Sequence, residues 1–195
     1  MTDFRNKYIL YKIEYLNLRD KIIMNQKWEE FNKKKIIAIA CFYPDFNSPF
    51  QINGTVIFTE ENDQIRIEIN LSGLTKNHKH GFHVHESGDL SQKCESMCAH
   101  FNPYNKNHGC PGKIERHVGD LGNIQSDENG NANYTFYDNV IKLSGSETNI
   151  IGRGLIIHQD TDDCGEGNND ASIKNGNAGK RIACAIIGYS KDNCK

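Results

Sequence analysis

Two histidines alternate with an apolar residue in the segment 81–86, and this alternation limits what the chain can fold into. His83 and His85 lie on either side of Val84. In a β-strand, side chains two positions apart lie on the same face, so an extended segment directs both imidazoles at one ion. Neighbouring imidazoles on one strand face suit copper or zinc. The segment therefore predicts a β-strand that presents two metal ligands.

Four further histidines and an aspartate extend this pattern: His100, His108, His117, Asp120 and His158. The group between 100 and 120 combines imidazole nitrogens with one carboxylate, a ligand set that suits tetrahedral zinc. A single histidine is more often a surface or hydrogen-bonded residue than a ligand, but six at these spacings are not explained by chance. His78 and His80 flank Lys79 in a polar stretch, and we expect His80 to orient backbone rather than bind metal.

Charge and hydropathy argue against two classes of partner. The 195 residues carry a formal net charge of −2 and a pI of about 6.4, so nothing indicates nucleic-acid binding. No apolar run reaches the roughly 20 residues that a membrane span needs.

The N-terminal residues do not have the pattern of a signal peptide, because charged residues interrupt the apolar ones: Arg5, Lys7, Lys12 and Glu14. The sequence predicts a cytoplasmic protein, in host cytoplasm or virion if its source were viral.

Residues 1–34 differ in pattern from the rest of the chain. Apolar residues recur at spacings of four and three, as in an amphipathic helix: Phe4, Tyr8, Tyr11, Tyr15, Leu18 and Ile22. Asn25 breaks this register before Trp28 and Phe31. Two interpretations stay open, a helical extension that docks on the domain or on a partner, and a partly disordered extension or wrongly assigned start.

From Lys35 onward, the pattern is that of β-strands. The apolar residues Ile65, Ile67, Ile69 and Leu71 alternate with polar ones, which marks a half-buried strand. Similar short stretches cover 36–42, 54–59, 132–136, 154–158 and 182–188. Short strands separated by turns, without a convincing helix, predict one antiparallel sandwich or barrel domain over 35–195.

Two long segments, 87–117 and 160–181, interrupt the strands. Long loops in a compact β domain are usually functional or disordered. The first contains three of the candidate ligands and the second ends at Lys180-Arg181. We therefore expect both segments to form walls of a site.

Six longer motifs occur along the chain: GFHVHESGD at 81–89, HFNP at 100–103, RHVGDLGN at 116–123, LSG at 143–145, IIGR at 150–153 and GNAGKRIAC at 176–184. In these motifs the chain closely resembles the copper–zinc superoxide dismutase family, and the resemblance runs from about residue 36 to about residue 189. The resemblance implies a Greek-key β-barrel or immunoglobulin-like sandwich of about eight antiparallel strands. It also implies conversion of superoxide to oxygen and hydrogen peroxide, with one copper ion and one zinc ion per chain.

The same resemblance implies a role for each site residue. Copper would be held by His83, His85, His100 and His158, and zinc by His100, His108, His117 and Asp120, with His100 bridging both ions. Arg181 would attract and orient the anion, with help from Lys174, and Asp162 would tie His83 to His108. Asp170 and Ala171 stand where the family usually has two glutamates, which puts the efficiency of anion steering in question.

The seven cysteines are an odd number, so at least one stays free or pairs between chains. Without a secretion signal, the default is reduced thiols, but the resemblance implies a Cys94–Cys184 disulfide. Cys110 stands where the family usually has glycine. For Cys98, Cys110 and Cys164 we expect spare thiols, with an extra disulfide or adventitious metal ligation as alternatives. Cys41 and Cys194 carry no assignment.

Other functions and assemblies stay open at this stage. A copper chaperone or a metal-storing decoy shares the fold, but chaperones typically lose copper ligands or the arginine, and residues 1–34 contain no cysteine. A copper chaperone could also serve as a partner that loads the chain. The family commonly forms homodimers through its terminal strands, whereas residues 189–195 depart from that pattern, which favours a monomer.

Overall fold

The computed structural model describes residues 11–25, 35–45, 47–145 and 147–193. It divides the chain into two compact units, Met1–Lys35 and Ile36–Lys195. In the first unit, residues 11–25 form helix α1, on which Tyr11, Tyr15, Leu18 and Ile22 are all exposed. The remaining apolar positions of the predicted stripe lie outside the described residues. None of the helices described is long and apolar enough to span a membrane.

The second unit consists mainly of short strands. They are β1 (Ile37–Phe42), β2 (Asn53–Glu61), β3 (Gln64–Ser72), β4 (Lys79–His85), β5 (Ser91–Cys94), β6 (Asp120–Gln125), β7 (Ala132–Asp138), β8 (Gly154–His158), β9 (Arg181–Ile186) and β10 (Gly188–Tyr189). A short helix α2 spans Asp170–Asn175, and 3₁₀ turns span Glu95–Met97 and Lys191–Asn193.

Nine strands of the described residues form two antiparallel sheets. The first has the order β10-β1-β2-β3-β7 and the second β6-β4-β8-β9. Of the two predicted architectures, the open sandwich is observed, since the described strands do not close into a barrel.

Alternating apolar residues of the two sheets build the core between them. On β3, Ile65 and Ile67 are fully buried, and Val56 of β2 lies opposite the buried Ile69 in the antiparallel register. Each such side chain stabilises the fold by roughly 1.5–3 kcal/mol through removal from water. On β3, the two-residue period therefore places the apolar side chains in the core and the polar ones on the outer face.

The two central strands of the second sheet, β4 and β8, are buried on both faces, and this arrangement positions the histidines. Phe82 and Val84 of β4 belong to the hydrophobic core. Because side chains alternate along a strand, His83 and His85 occupy the opposite face, where both are almost completely buried. On β8, Leu155 and Ile157 face the core in the same way, which leaves His158 on the histidine face.

The two segments predicted as long loops contain more regular structure than expected. Within 87–117, β5 is an exposed four-residue strand, and β6 begins directly after the segment with a largely polar sequence. Within 160–181, α2 begins at the cap Asn169, whose side chain accepts a hydrogen bond from the Ser172 backbone N–H, and ends at Gly176 with φ of +68°. The predicted all-β class is confirmed, and within it local capping forms the six-residue helix α2.

Candidate metal centre

Four histidines converge on the buried face of the second sheet, and we call them the four-histidine group: His83, His85, His100 and His158. Their candidate ligand nitrogens all lie within 4.8 Å of one another. Within the described residues, His83 Nδ1, His85 Nε2 and His158 Nε2 are buried without a hydrogen-bond partner. A buried polar atom without a partner is costly, at about 1–3 kcal/mol. Three such nitrogens directed at one point are arranged to bind a cation.

A second cluster, the mixed group, consists of His100, His108, His117 and Asp120. Asp120 Oδ1 lies 2.8 Å from His100 Nδ1, 3.1 Å from His108 Nδ1 and 3.2 Å from His117 Nδ1. The contact of His108 lacks hydrogen-bond geometry, because its Nδ1 has no hydrogen-bond partner among the described residues. Three nitrogens around one carboxylate oxygen, all buried, form the N₃O donor set of a tetrahedral zinc site.

His100 is the residue that the two groups share. Its Nδ1 lies on the Asp120 side, while its ring centroid is 4.1 Å from that of His83 and 4.9 Å from that of His85. A single imidazole therefore lies between the two clusters, with one ring nitrogen on the side of the mixed group.

Backbone hydrogen bonds hold the loop that carries His100 and His117 against β4. The Val84 N–H donates to Gly119 O over 2.8 Å, and the Phe101 N–H donates to Val84 O over 2.9 Å. An isolated bridge also pairs His85 with His100. The ligands on the strand and in the loop are thus fixed relative to one another by main-chain contacts.

Asp162, in the second long segment, links the two groups. Its two carboxylate oxygens accept hydrogen bonds from His83 Nε2 and His108 Nε2, each over 2.8 Å. The Asn123 side chain holds this aspartate by two backbone contacts, accepting from Asp162 N–H and donating to Asp162 O. A Cβ at Gly176 would overlap Asp162 Oδ1, so the close approach of this backbone requires glycine. Such a carboxylate fixes the orientation of both imidazoles.

The predicted backbone role of His80 agrees with its position. His80 is fully buried, and its Nδ1–H donates to the carbonyl oxygen of His158 over 2.7 Å. The neighbouring His78 is partly buried and its Nε2 contacts Gln159 O. Neither residue belongs to the four-histidine group or the mixed group.

Burial keeps three of the candidate ligands, His85, His100 and His158, neutral in the metal-free chain. Burial first, and then the neighbouring His83, lower the pKa of His100 to about 3 and that of His158 to about 2. Burial also lowers the pKa of His85 strongly. His108 differs, because the nearby carboxylates of Asp120 and Asp162 outweigh the effect of burial and raise its pKa to about 9. Neutral imidazoles are the form that binds metal.

These shifts predict that acid destabilises the metal-free protein. In the unfolded chain, histidines gain a proton below about pH 6.5, whereas folded His85, His100 and His158 stay neutral. Between pH 7.5 and 5, we expect each of these three histidines to lower the free energy of unfolding by roughly 1–2 kcal/mol. The raised pKa of His108 offsets only part of this loss. Its stabilising contribution grows as the pH falls toward 6.5 and is fully present below it, but three histidines change in the opposite direction. We expect the thermal midpoint to fall by at least 5 °C, by roughly 2–4 °C per kcal/mol; a constant midpoint would contradict these shifts.

Arg181 lies beside the four-histidine group at the start of β9. Its guanidinium donates to the backbone carbonyls of Cys94 and Cys98. After burial and the neighbouring histidines, its positive charge is a further cause of the lowered pKa of both His85 and His158. The guanidinium is thus a fixed cation close to these imidazoles.

An open cavity of about 520 Å³ lies over the other side of the site. Its lining includes His100, His117, Lys106, Lys174 and Glu86. Lys174 belongs to α2, and Asp170 from the same helix also lines the cavity. Sequence reasoning identified Lys174 but missed Lys106 and Glu86, although Glu86 follows His85 directly in the quoted motif.

Two disulfides flank the metal groups in the described part of the chain. A disulfide joins Cys94 of β5 to Cys184 of β9, and the backbone carbonyl of the same Cys94 accepts a hydrogen bond from Arg181. Cys110 is joined to Cys164, so the expectation of spare thiols was wrong for these two residues. They are 54 positions apart, and only the tertiary fold brings them together. Cys41 and Cys98 are free thiols, and Cys194 lies outside the described residues.

Fold and site together define the class of protein: a β-sandwich metalloprotein with two adjacent four-ligand groups that share one histidine. Residues 52–187 match the family model described as copper/zinc superoxide dismutase. That match covers more than half of the 195 residues. The chain belongs to the copper/zinc superoxide dismutase family.

Individual relatives agree with this assignment. A superoxide dismutase [Cu-Zn] from Paramecium bursaria Chlorella virus 1 is 58% identical over 142 residues, which cover 73% of this chain and 75% of the relative. An extracellular superoxide dismutase [Cu-Zn] from Drosophila melanogaster is 48% identical over 71% of this chain and 76% of its own. Among solved structures, the clock protein EA4 is similar with a TM-score of 0.73 and 41% identity, over 79% of this chain and 94% of that one.

Proposed function

We propose that this chain dismutes superoxide with copper held by the four-histidine group and zinc held by the mixed group. The overall reaction consumes two superoxide anions and two protons and yields one oxygen and one hydrogen peroxide. The observation that carries the assignment is the sharing of His100 between an all-nitrogen group and an N₃O group. Bound copper supplies one-electron oxidation and reduction, and bound zinc supplies a fixed positive charge.

The donor sets support this division between the metals. Imidazole nitrogens suit cupric copper, and the unpartnered nitrogens of His83, His85 and His158 leave room for such an ion. The carboxylate of Asp120 makes the mixed group the more zinc-like of the two. Although burial acts to raise it, hydrogen bonds from His100 and His117 and the close contact of His108 hold the pKa of Asp120 well below its usual range. Its oxygens are therefore available as an anionic ligand.

His100 is the residue that we expect to move a proton. With Nδ1 on the side of Asp120, its Nε2 is the nitrogen left for the four-histidine group. A ring shared between two cations is deprotonated at both nitrogens, which two flanking divalent charges make accessible near neutral pH. Nε2 can then accept a proton and return it as peroxide forms.

Arg181 supplies the positive charge that attracts and orients superoxide. Its guanidinium is anchored by backbone carbonyls, so little side-chain freedom is lost when an anion binds. Lys174 and Lys106 add positive charge at the cavity, while Asp170 and Glu86 oppose it. We expect anion steering to depend mainly on Arg181, since the cavity around Lys174 has mixed charge.

The wider assignments belong to the same proposal. Residues 35–195 act as the catalytic domain, and residues 1–34 are an appended extension. A cytoplasmic location and loading by a copper chaperone stay predictions, and the choice between a homodimer and a monomer stays open. One relative is named as extracellular.

The test is metal content and turnover on the same sample. Full-length protein is reconstituted with copper and zinc, its metals are counted by mass spectrometry, and its superoxide dismutation rate is measured. We expect one copper and one zinc per chain with rapid turnover. Stoichiometric metals without turnover would identify a storage or delivery protein, and failure to bind both metals would overturn the assignment.

A further inference from the structure

The Cys110–Cys164 disulfide joins the two long segments next to the mixed group. Cys110 follows His108 by two positions, and Cys164 follows Asp162 by two. His108 and Asp162 are themselves in contact, with Nε2 donating to Oδ1 over 2.8 Å. The covalent bond therefore lies two residues from both ends of the hydrogen bond that orients a metal-ligating histidine.

The backbone at Cys164 is adapted to this contact. Cys164 has φ of +60°, a left-handed conformation that residues with a side chain rarely adopt. The next residue, Gly165, has φ of +76°, and a Cβ there would approach His108 O at 2.7 Å. Two consecutive left-handed residues thus bring this turn against the His108 segment, and Cys164 N–H donates to Asp162 Oδ1 over 2.7 Å.

The other contacts between the two segments are weaker. Lys113 Nζ forms an ion pair with Glu166 over 2.6 Å and donates to Cys164 O over 2.9 Å. Glu166 is largely exposed, and exposed ion pairs contribute little. A backbone hydrogen bond also joins His108 N–H to Ile173 O. Without the disulfide, the two segments would be joined by these contacts and by the His108–Asp162 hydrogen bond, while Asn123 would still hold Asp162 from β6.

We propose that the Cys110–Cys164 disulfide preorganises the mixed group for zinc, a role that rests on the zinc assignment proposed above. It holds His108 and Asp162 in their bound arrangement before the metal arrives. Zinc binding then does not have to order two segments, and the entropy cost of that ordering is avoided. Cys110 and Cys164 are positioning residues, since they act on zinc through His108 and Asp162.

The test compares the double variant Cys110→Ser/Cys164→Ser with Cys41→Ser, which alters a free thiol on β1. Zinc affinity of the copper-free proteins is measured by competition with a chelator, and thermal midpoints are recorded with and without zinc. We expect zinc affinity to fall about tenfold in the double variant, as for losses of supporting residues around metal ligands, and to be unchanged in Cys41→Ser. Tenfold corresponds to about 1.4 kcal/mol, so the zinc-induced rise in midpoint should be about 3–6 °C smaller.

The zinc-induced rise separates preorganisation from general stabilisation. Loss of a disulfide that acts only on the unfolded chain lowers the midpoint with and without zinc by similar amounts. An equal zinc-induced rise and an equal affinity in the double variant would therefore overturn the inference. A wild-type chain that fails to bind zinc would instead overturn the proposed function. If the serine variant does not fold, Cys110→Ala/Cys164→Gly serves in its place, because glycine adopts the φ of Cys164 without strain, and the same outcomes apply.

Discussion

Replacing His100 with alanine is expected to abolish measurable superoxide dismutation and to weaken zinc binding by more than about 100-fold. Loss of residues that merely support a ligand costs 10–100-fold, and His100 belongs to both groups directly. Three histidines of the four-histidine group remain, so copper should still bind. Zinc content, copper content and the copper electron paramagnetic resonance spectrum are measured on reconstituted protein.

The spectrum provides the sharper criterion for His100. In the wild type, adding zinc should change the copper spectrum, because one ring lies between the two groups. In His100→Ala, the copper spectrum should not respond to zinc. His78→Ala is the matched control, since this histidine belongs to neither group. If zinc still changed the copper spectrum of His100→Ala, the two sites would be coupled by a residue other than His100.

Replacing Arg181 with alanine is expected to reduce the dismutation rate by about tenfold or more while both metals stay bound. The guanidinium contacts backbone carbonyls rather than a candidate ligand atom, so its removal leaves both donor sets complete. Fixed charge beside a site raises the encounter rate of an anion by about 10–1,000-fold. Rate and metal content are measured together, at several salt concentrations.

Two further variants separate charge from orientation at this position. Arg181→Lys keeps the charge and loses the planar fork, so its rate should lie between those of wild type and Arg181→Ala. Lys180→Ala, at the exposed neighbour, should retain most of the wild-type rate. Because salt screens attraction, the wild-type rate should fall more steeply with ionic strength than that of Arg181→Ala. Metal loss in Arg181→Ala would show that the residue has a structural role instead.

Much of the fold follows from local pattern. The alternation from Ile65 to Leu71 predicted β3 with bounds that differ by one residue at each end, and the predicted strand over 154–158 coincides with β8. β5 and β6 were missed because their sequences lack apolar alternation, and their strand conformation depends on neighbours in the fold. Helix α2 was missed for a different reason, since its six residues are too few to show a helical period.

The candidate site likewise combines features that the local sequence predicts with features that depend on the tertiary fold. The spacing of His83 and His85 is local information, because a strand places such residues on one face whatever surrounds it. The remaining candidates were named from residue type and spacing, and the family resemblance assigned each to a metal. Their convergence depends on chain segments far apart in sequence. His158 lies 75 positions after His83, yet both rings belong to one group.

The sequence by itself determined the kinds of ligands, the strand that presents two of them and the β character of residues 35–195. These features could be predicted because they depend on residue type and on the spacing of residues only a few positions apart in the chain. Only the tertiary structure decided that Cys110 pairs with Cys164 and that three imidazole nitrogens converge on Asp120 Oδ1. Those contacts depend on how two sheets and two long segments pack, because packing sets the distance between residues that no local pattern relates.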